Sequence, residues 1–338
     1  MKIVIFGLEH RLGALHGDRV IDLNLGLAKY LRERGEANPE PQAAARLPSR
    51  LRSFIELGAA ALEDARRVIE HCGKMTAHDG DTGDDGAKVV HSAAAVKLHA
   101  PWPERRIACV GGNYAAHLLG MWANRLGKTD ITVEEVAREA KKAGQWGFWK
   151  VPSEVAGPQD AIPFPKRVTY FDYEGEVAII IGKRGKNIAA DKIREYVWGV
   201  TLFHDWSIRD GGGADRAVSY NLQKNFDGAA SMGPCIVVGE LDQQAVDVET
   251  RVNGVLRQSY NTQDMIWSFG EVLEYLSQDF TFVPGDVIAG GTSAGTAADK
   301  SRRAPDGKRP LDLFLKVGDV VEVSSSQIGA LSNRIVES

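Results

Sequence analysis

Three acidic residues at alternate positions, Asp172, Glu174 and Glu176, are the part of this 338-residue sequence whose types and spacing most directly suggest chemistry. They lie in the stretch Tyr170 to Gly182, which is rich in aromatic and β-branched residues and ends in the apolar run Val177 to Ile181. Those are the features of a strand. Alternate side chains on a strand share a face, so the three carboxylates project together and repel. No Lys or Arg falls between Tyr170 and Gly182, and a buried, unpaired carboxylate is strongly unfavourable unless it protonates, pairs or binds a metal. A hard divalent cation held by oxygen ligands answers that constraint. The competing reading is an exposed acidic edge strand whose charge discourages pairing with other chains. The run Val177 to Ile181, which reads as buried on both faces, weighs against it.

Other candidate groups fall at the ends of predicted elements. The apolar stretch Tyr196 to Phe203 reads as a second buried strand that delivers His204 and Asp205 to its C-terminal end, with Arg209 close behind. A flexible loop opened by Gly211-Gly212-Gly213 leads to Lys224, and Gly290-Gly291-Thr292 comes after the strand Val287 to Ala289. Upstream, the strand Ile107 to Val110 runs into Gly111-Gly112-Asn113-Tyr114-Ala115-Ala116-His117. Glycines after a buried strand let backbone amides approach a ligand closely, and His117 falls about one turn into the next element. Each of these signals is weak alone.

Together they are specific. Asp172-Tyr173-Glu174-Gly175-Glu176 on a strand, Asp205 at a later strand end, Lys224 after a loop and a Gly-Gly-Thr turn, taken with Gly112 to His117, resemble the fumarylacetoacetate hydrolase superfamily over roughly residues 101 to 335. The resemblance implies an α+β protein, a mixed β-roll or β-sandwich that is usually a homodimer. It implies a divalent metal, Mg2+ first with Mn2+ or Ca2+ as alternatives, held by Glu174, Glu176 and Asp205, with Asp172 supporting them from the same face. Lys224 falls where the superfamily's active-site lysine is expected, Thr292 matches a threonine that meets substrate carboxylate, and Arg209 is placed to meet an anionic group. Tyr114 and Gly291 are assigned with them to the substrate, and His117 is the candidate base. The implied substrate is a small acid, and the leading activity is hydrolysis of a C–C bond in a 2,4-dioxo acid such as an acylpyruvate or fumarylpyruvate, in aromatic-compound degradation. Chelation of the 2-oxo acid by the metal would stabilise the enolate released on cleavage. One departure bears on this. Hydrolytic members carry a glutamate three residues after the histidine to orient it, and here that position is Gly120. Either a carboxylate such as Glu134, Glu135 or Glu139 replaces it, or the reaction needs no activated water. Decarboxylation or isomerisation of a related 2-oxo or 2-hydroxy-dienoic acid is therefore the alternative, and a non-catalytic metal-binding homologue the third.

These residues need elements to position them. Residues 1–100 read as a small α+β module, with strands at Lys2 to Phe6, Arg11 to Leu15 and Arg19 to Leu23, a hairpin turn at Gly17-Asp18, and helices over Asn24 to Arg34 and Leu51 to Cys72. Gly35 to Pro41 reads as a loop, and Gly73 to Gly86 as a polar, mobile segment. Residues 101–338 read as the catalytic domain, with residues 118–145 a helical lid insertion. Within it Thr132 and Glu135 form a capping-box pattern and Gly144 suits the C-terminal cap. Asn253-Gly254 signals a hairpin.

Bulk properties narrow the class. Hydrophobic residues at 43%, charged residues at 25% and a net charge of -4 are ordinary for a soluble enzyme and offer no footprint for nucleic acid or an anionic membrane. Cys72, Cys109 and Cys235 have neither zinc-site nor disulfide-framework spacing, which fits a reducing cytoplasm. No apolar run reaches membrane-spanning length.

Overall fold

The computed structural model describes residues 1–75, 87–126, 130–210, 219–302, 304 and 308–338. The Gly211 to Gly213 loop and most of the segment 73–86 lie outside them. The chain opens with strands β1 (Lys2–Phe6), β2 (Arg11–His16) and β3 (Arg19–Asp22), followed by helices α1 (Leu23–Glu33), α2 (Pro39–Arg46), α3 (Leu51–Leu57) and α4 (Ala59–Cys72), then β4 (Val90–Ser92) and β5 (Leu98–His99). Two helix limits differ from the sequence reading. Pro39 starts α2 instead of lying in a loop, consistent with proline's fit to a first turn. The expected Leu51 to Cys72 helix is broken at Gly58, whose φ of +63° lies outside the right-handed helical region.

The remainder runs β6 (Ile107–Val110), α5 (Ala115–Leu126), α6 (Val133–Ala143), β7 (Gly147–Lys150), β8 (Ala161–Pro163), β9 (Phe171–Asp172), β10 (Gly175–Ile181), α7 (Ile193–Tyr196), β11 (Val197–Asp205), β12 (Ser207–Ile208), α8 (Tyr220–Lys224), β13 (Ala230–Val237), β14 (Asp247–Val252), β15 (Val255–Asn261), α9 (Phe269–Leu276), β16 (Val287–Ala289), α10 (Ala297–Lys300), β17 (Val320–Ser325) and β18 (Gly329–Val336). An eleven-stranded sheet has the order β4-β3-β2-β1-β13-β11-β10-β16-β6-β7, with β5 also paired to β1. A five-stranded sheet, β15-β14-β17-β18-β8, and the short pair β12-β9 complete the strands. The N-terminal strands thus extend the main sheet, through Lys2 opposite Val237 and Ile3 opposite Ile236.

The predicted acidic strand forms in two pieces. Phe171 and Asp172 pair with Ile208 and Ser207, whereas Gly175 onward pairs with β11 and, from Ala178, with β16. Between them Tyr173 and Glu174 fall outside both strands, and Glu174 C=O accepts the Asp205 N–H at 3.0 Å. Every residue of β10 is buried, as the apolar run requires. Gly175 is needed because the five-stranded sheet approaches it closely: a Cβ there would lie 2.1 Å from Thr250 Oγ1 and 3.0 Å from Val323 Cγ2. Its backbone is also braced on both sides, its N–H donating to Gln258 Oε1 while its C=O accepts from Tyr260 and Thr292 hydroxyls. Glu174 and Glu176 consequently share a fixed hinge between the sheets. Gly175→Ala should lower stability by about 1–3 kcal/mol through overpacking, measured as a shift in the midpoint of urea unfolding without a change in its slope.

Candidate active site

Glu174, Glu176 and Asp205 converge as expected. One ligand oxygen from each lies within 4.8 Å of the others, and all three residues are buried. Glu174 and Glu176 flank the start of β10, and Asp205 ends β11, which pairs with β10 along its whole length. Asp172 lies outside this group. Its carboxylate accepts from the Ala297 and Ala298 N–H groups at 2.8 and 3.0 Å and from Arg209 Nε at 3.0 Å. It therefore fixes α10 to β9.

Basic residues from distant segments surround the carboxylates. Lys224 Nζ, at the end of α8, donates to Glu174 Oε2 at 2.6 Å, to Asp205 Oδ2 at 2.7 Å and to Ser207 Oγ at 2.7 Å. Arg209 donates to Glu174 as well as to Asp172. Lys150, unremarked in the sequence reading, is buried at the end of β7 with its Nζ 2.7 Å from Asp205 Oδ1. It also donates to the carbonyls of Lys224 and Ala229 at 2.6 and 2.7 Å. Arg209, expected to meet substrate, here grips the protein's own carboxylates.

These partners split the acidities. Burial pushes Glu174 up, but Arg209 and Lys224 outweigh it and hold the carboxyl well below its usual range. Burial also pushes Glu176 up; there Asp205 and Glu174 reinforce the effect, and the group is raised well above that range. Glu176 Oε2 accepts a hydrogen bond from the Gly291 N–H at 3.0 Å. Lys224 stays firmly protonated, because Asp205 and Glu174 overcome the desolvation that would lower it. The donor set fits a hard divalent cation: the oxygens are buried and close, Glu176 carries uncompensated repulsion, and Asp205 Oδ1 lacks an aligned hydrogen-bond donor although Lys150 is near.

Thr292 and Gly291 reach the same site from the loop after β16. Thr292 Oγ1 donates to Gly175 C=O at 2.8 Å and accepts from Gln258 Nε2 at 2.7 Å. Tyr114 is buried, its ring 5.0 Å edge-on from Tyr260, and burial pushes its hydroxyl pKa well above normal. The turn before it is a brace: Asn113 donates to the Trp267 and Gly290 carbonyls and accepts the Trp267 N–H. Gly111 lies against Trp146, where a Cβ would be 2.1 Å from the indole.

His117, in the first turn of α5, is buried and close enough to Glu174 to help lower its pKa. Its partner is not a carboxylate of α6. Glu135 caps Thr132 and Glu139 pairs with Lys142 on the exposed side of α6. Instead Asp299, in α10, has Oδ2 3.0 Å from His117 Nδ1. Helix α6 carries the predicted capping box, and its own Val136 and Ala140 are its buried residues.

His204 points the other way. Its ring packs 3.8 Å from that of Trp206 and its Nε2 is buried without a partner. Burial lowers its pKa from 6.5 to about 3. The folded protein therefore binds this proton less readily than the unfolded chain, so stability is present above pH 6.5 and is lost as pH falls toward 3. In the metal-free protein, His204→Leu should make chemical-denaturation stability less steeply dependent on pH across that window; an unchanged slope would contradict this.

Residues 106–336 match the family described as fumarylacetoacetate (FAA) hydrolase C-terminal. The chain is 33% identical over 279 residues to oxaloacetate tautomerase YisK of Bacillus subtilis (strain 168), covering 81% of this chain and 84% of that protein. It is 30% identical over 294 residues to the mitochondrial oxaloacetate tautomerase FAHD2B of Homo sapiens, covering 86% and 81%. A solved structure, the fumarylacetoacetate hydrolase of psychrophilic Exiguobacterium antarcticum, aligns with 100% of both chains at 28% identity with a TM-score of 0.70. No helix among the described residues is long and apolar enough to cross a membrane.

Proposed function

The chain belongs to the fumarylacetoacetate hydrolase family and has its α+β fold, and we propose that it is a metal-dependent enzyme interconverting the keto and enol forms of a short 2-oxo dicarboxylic acid of the oxaloacetate type. The observation that carries this reading is the pairing of a buried all-oxygen cluster, Glu174, Glu176 and Asp205, with a separate buried histidine, His117. Tautomerisation needs only an electron sink for the 2-oxo oxygen and a group that moves one proton at C3. The names of the relatives favour this activity over C–C hydrolysis.

Glu174, Glu176 and Asp205 would hold the cation, Mg2+ first, with Mn2+ or Ca2+ as alternatives. When bound, it would polarise the 2-oxo group and stabilise negative charge on the enolate oxygen. The protein's own residues do the rest. Lys224 and Arg209 offset the charge of the ligand carboxylates, so a dianionic substrate meets a cluster that is already largely neutralised. Arg209 and Asp172 keep Glu174 and α10 in register. His117 takes the C3 proton and returns it to oxygen or carbon according to direction. Thr292 and Gly291 shape the wall beside Glu176.

A second reading, hydrolysis of an acylpyruvate, is kept by one observation: His117 has a carboxylate neighbour after all, so it can polarise a water as well as carry a proton. Product analysis separates the readings. With Mg2+ or Mn2+ and freshly dissolved enol oxaloacetate, enol absorbance should decay faster than in the protein-free control with no change of mass. Release of carbon dioxide would instead indicate decarboxylation, and two acids from an acylpyruvate would indicate hydrolysis. Glu176→Gln should abolish both the catalysed decay and the metal-induced rise in Tm while the far-ultraviolet circular dichroism is retained; full activity in that variant would overturn the assignment of the cluster.

A further inference from the structure

We propose that Asp299 is the positioning residue for His117, supplying from α10 the carboxylate that the family resemblance expects at position 120, and that Gly120 is the complement that makes room for it. This rests on the reading of His117 as the proton-transfer group. His117 Nδ1 and Asp299 Oδ2 are 3.0 Å apart, and both side chains are buried. The carboxylate is itself fixed, since the Gly295 N–H donates to Oδ2 at 2.9 Å and reaches Oδ1 at 3.2 Å. The Asp299 N–H donates to Thr296 Oγ1 at 3.2 Å, which closes the first turn of α10. That turn is anchored by the buried Asp172 carboxylate, so the aspartate stands on the same support as the ligand cluster.

Position 120 lies against this aspartate. A Cβ built on Gly120 would be 2.7 Å from Asp299 Cβ and 3.0 Å from its carbonyl oxygen. A glutamate at 120 and an aspartate at 299 therefore compete for one volume, and this chain has the second arrangement. On a helix, residues three apart share a face, so a glutamate at 120 and Asp299 would approach His117 from the same side. The absence of an acidic residue at 120 is thus a relocation of the carboxylate and not its loss.

The chemical consequence is a fixed tautomer. A carboxylate accepts only, so Nδ1 carries the hydrogen and Nε2 presents its lone pair. When Nε2 takes the proton leaving substrate C3, the electron pair of the C–H bond passes to the enolate and the imidazolium is stabilised by the Asp299 carboxylate. The same proton then leaves Nε2 for the enolate oxygen, and the histidine returns to its starting state.

The first test needs no substrate. With 15N-labelled histidine, and the His117 signal identified by its loss in His117→Gln, the neutral ring at alkaline pH should be the Nδ1-protonated tautomer. In Asp299→Ala Nδ1 loses its acceptor, and the ring should shift toward the Nε2-protonated tautomer. In the enol-decay assay the same variant should lose about 10- to 100-fold in kcat with little change in KM. Asp299→Gly should lose as much, and adding Gly120→Glu to it should recover a substantial part, because the carboxylate returns from the helix side. A wild-type ring protonated on Nε2, an unaltered tautomer in Asp299→Ala, or wild-type kcat in that variant would each overturn the proposal. If neither Asp299 variant folds, the wild-type tautomer decides alone. If the wild-type protein does not catalyse enol decay, the proposed activity fails while the tautomer measurement still decides the role of Asp299.

Discussion

Four carboxylates are buried where the main sheet meets its neighbours, and among the described residues three buried or nearly buried cations face them. Asp172 and Glu174 share Arg209, Glu174 and Asp205 share Lys224, and Asp205 also has Lys150. Glu176 has a backbone N–H and the nearby Lys224 charge, which do not outweigh its burial and two like-charged neighbours. Burying these groups is tolerable only if each keeps its partner, since breaking one such pair leaves an uncompensated charge in a poorly solvated interior. The cations arrive from β7, from the residue after β12 and from α8, so the local electrostatics hold only when widely separated segments are all in place. Lys150 shows the coupling most directly: besides its contact with Asp205, it holds the carbonyls of Lys224 and Ala229 and so fixes where α8 ends.

Close approach by the backbone is the second condition. The Glu174-Gly175-Glu176 sequence aims its outer side chains at the site while the middle residue lies against Thr250 and Val323 of the other sheet, where no side chain fits. Gly111 makes the corresponding concession to Trp146, and Gly120 to Asp299. Glycine in these places serves tight packing as much as backbone freedom. The Gly-Gly turn before His117, which as a sequence suggests amides turned toward a ligand, is held by Asn113 against Trp267 and Gly290. It therefore sets the position of α5 relative to the Gly290 loop.

Much of this was legible in the sequence where the signal is local. Alternation and a buried apolar run located β10 and its glutamates, a capping box located α6, and Asn253-Gly254 located the turn between β14 and β15. The break at Tyr173 and Glu174 was not legible, because it comes from β9 pairing with β12 instead of continuing along β11. Lys150, Gln258 and Asp299 were missed for a related reason. Each sits in an unremarkable local context, and each matters through a partner far away in the chain: Lys150 through Asp205, Gln258 through Gly175 and Thr292, Asp299 through His117. The gap at position 120 was the one available hint of Asp299, since a missing orienting group asks for a replacement, but nothing in the sequence says where it comes from.

The register of β1 carries a consequence for how the chain reaches this state. Lys2 and Ile3 pair with Val237 and Ile236, so that end of β1 waits for a partner made more than two hundred residues later. The rest of β1 is paired sooner, Ile5 and Phe6 with β5 and the whole strand with β2, a local hairpin partner that can form early. Closing so long a loop is entropically slow and leaves a strand edge open meanwhile. The early meander is therefore exposed to misassociation during synthesis, and chaperone demand should track the arrival of β13 and not the completion of the first hundred residues.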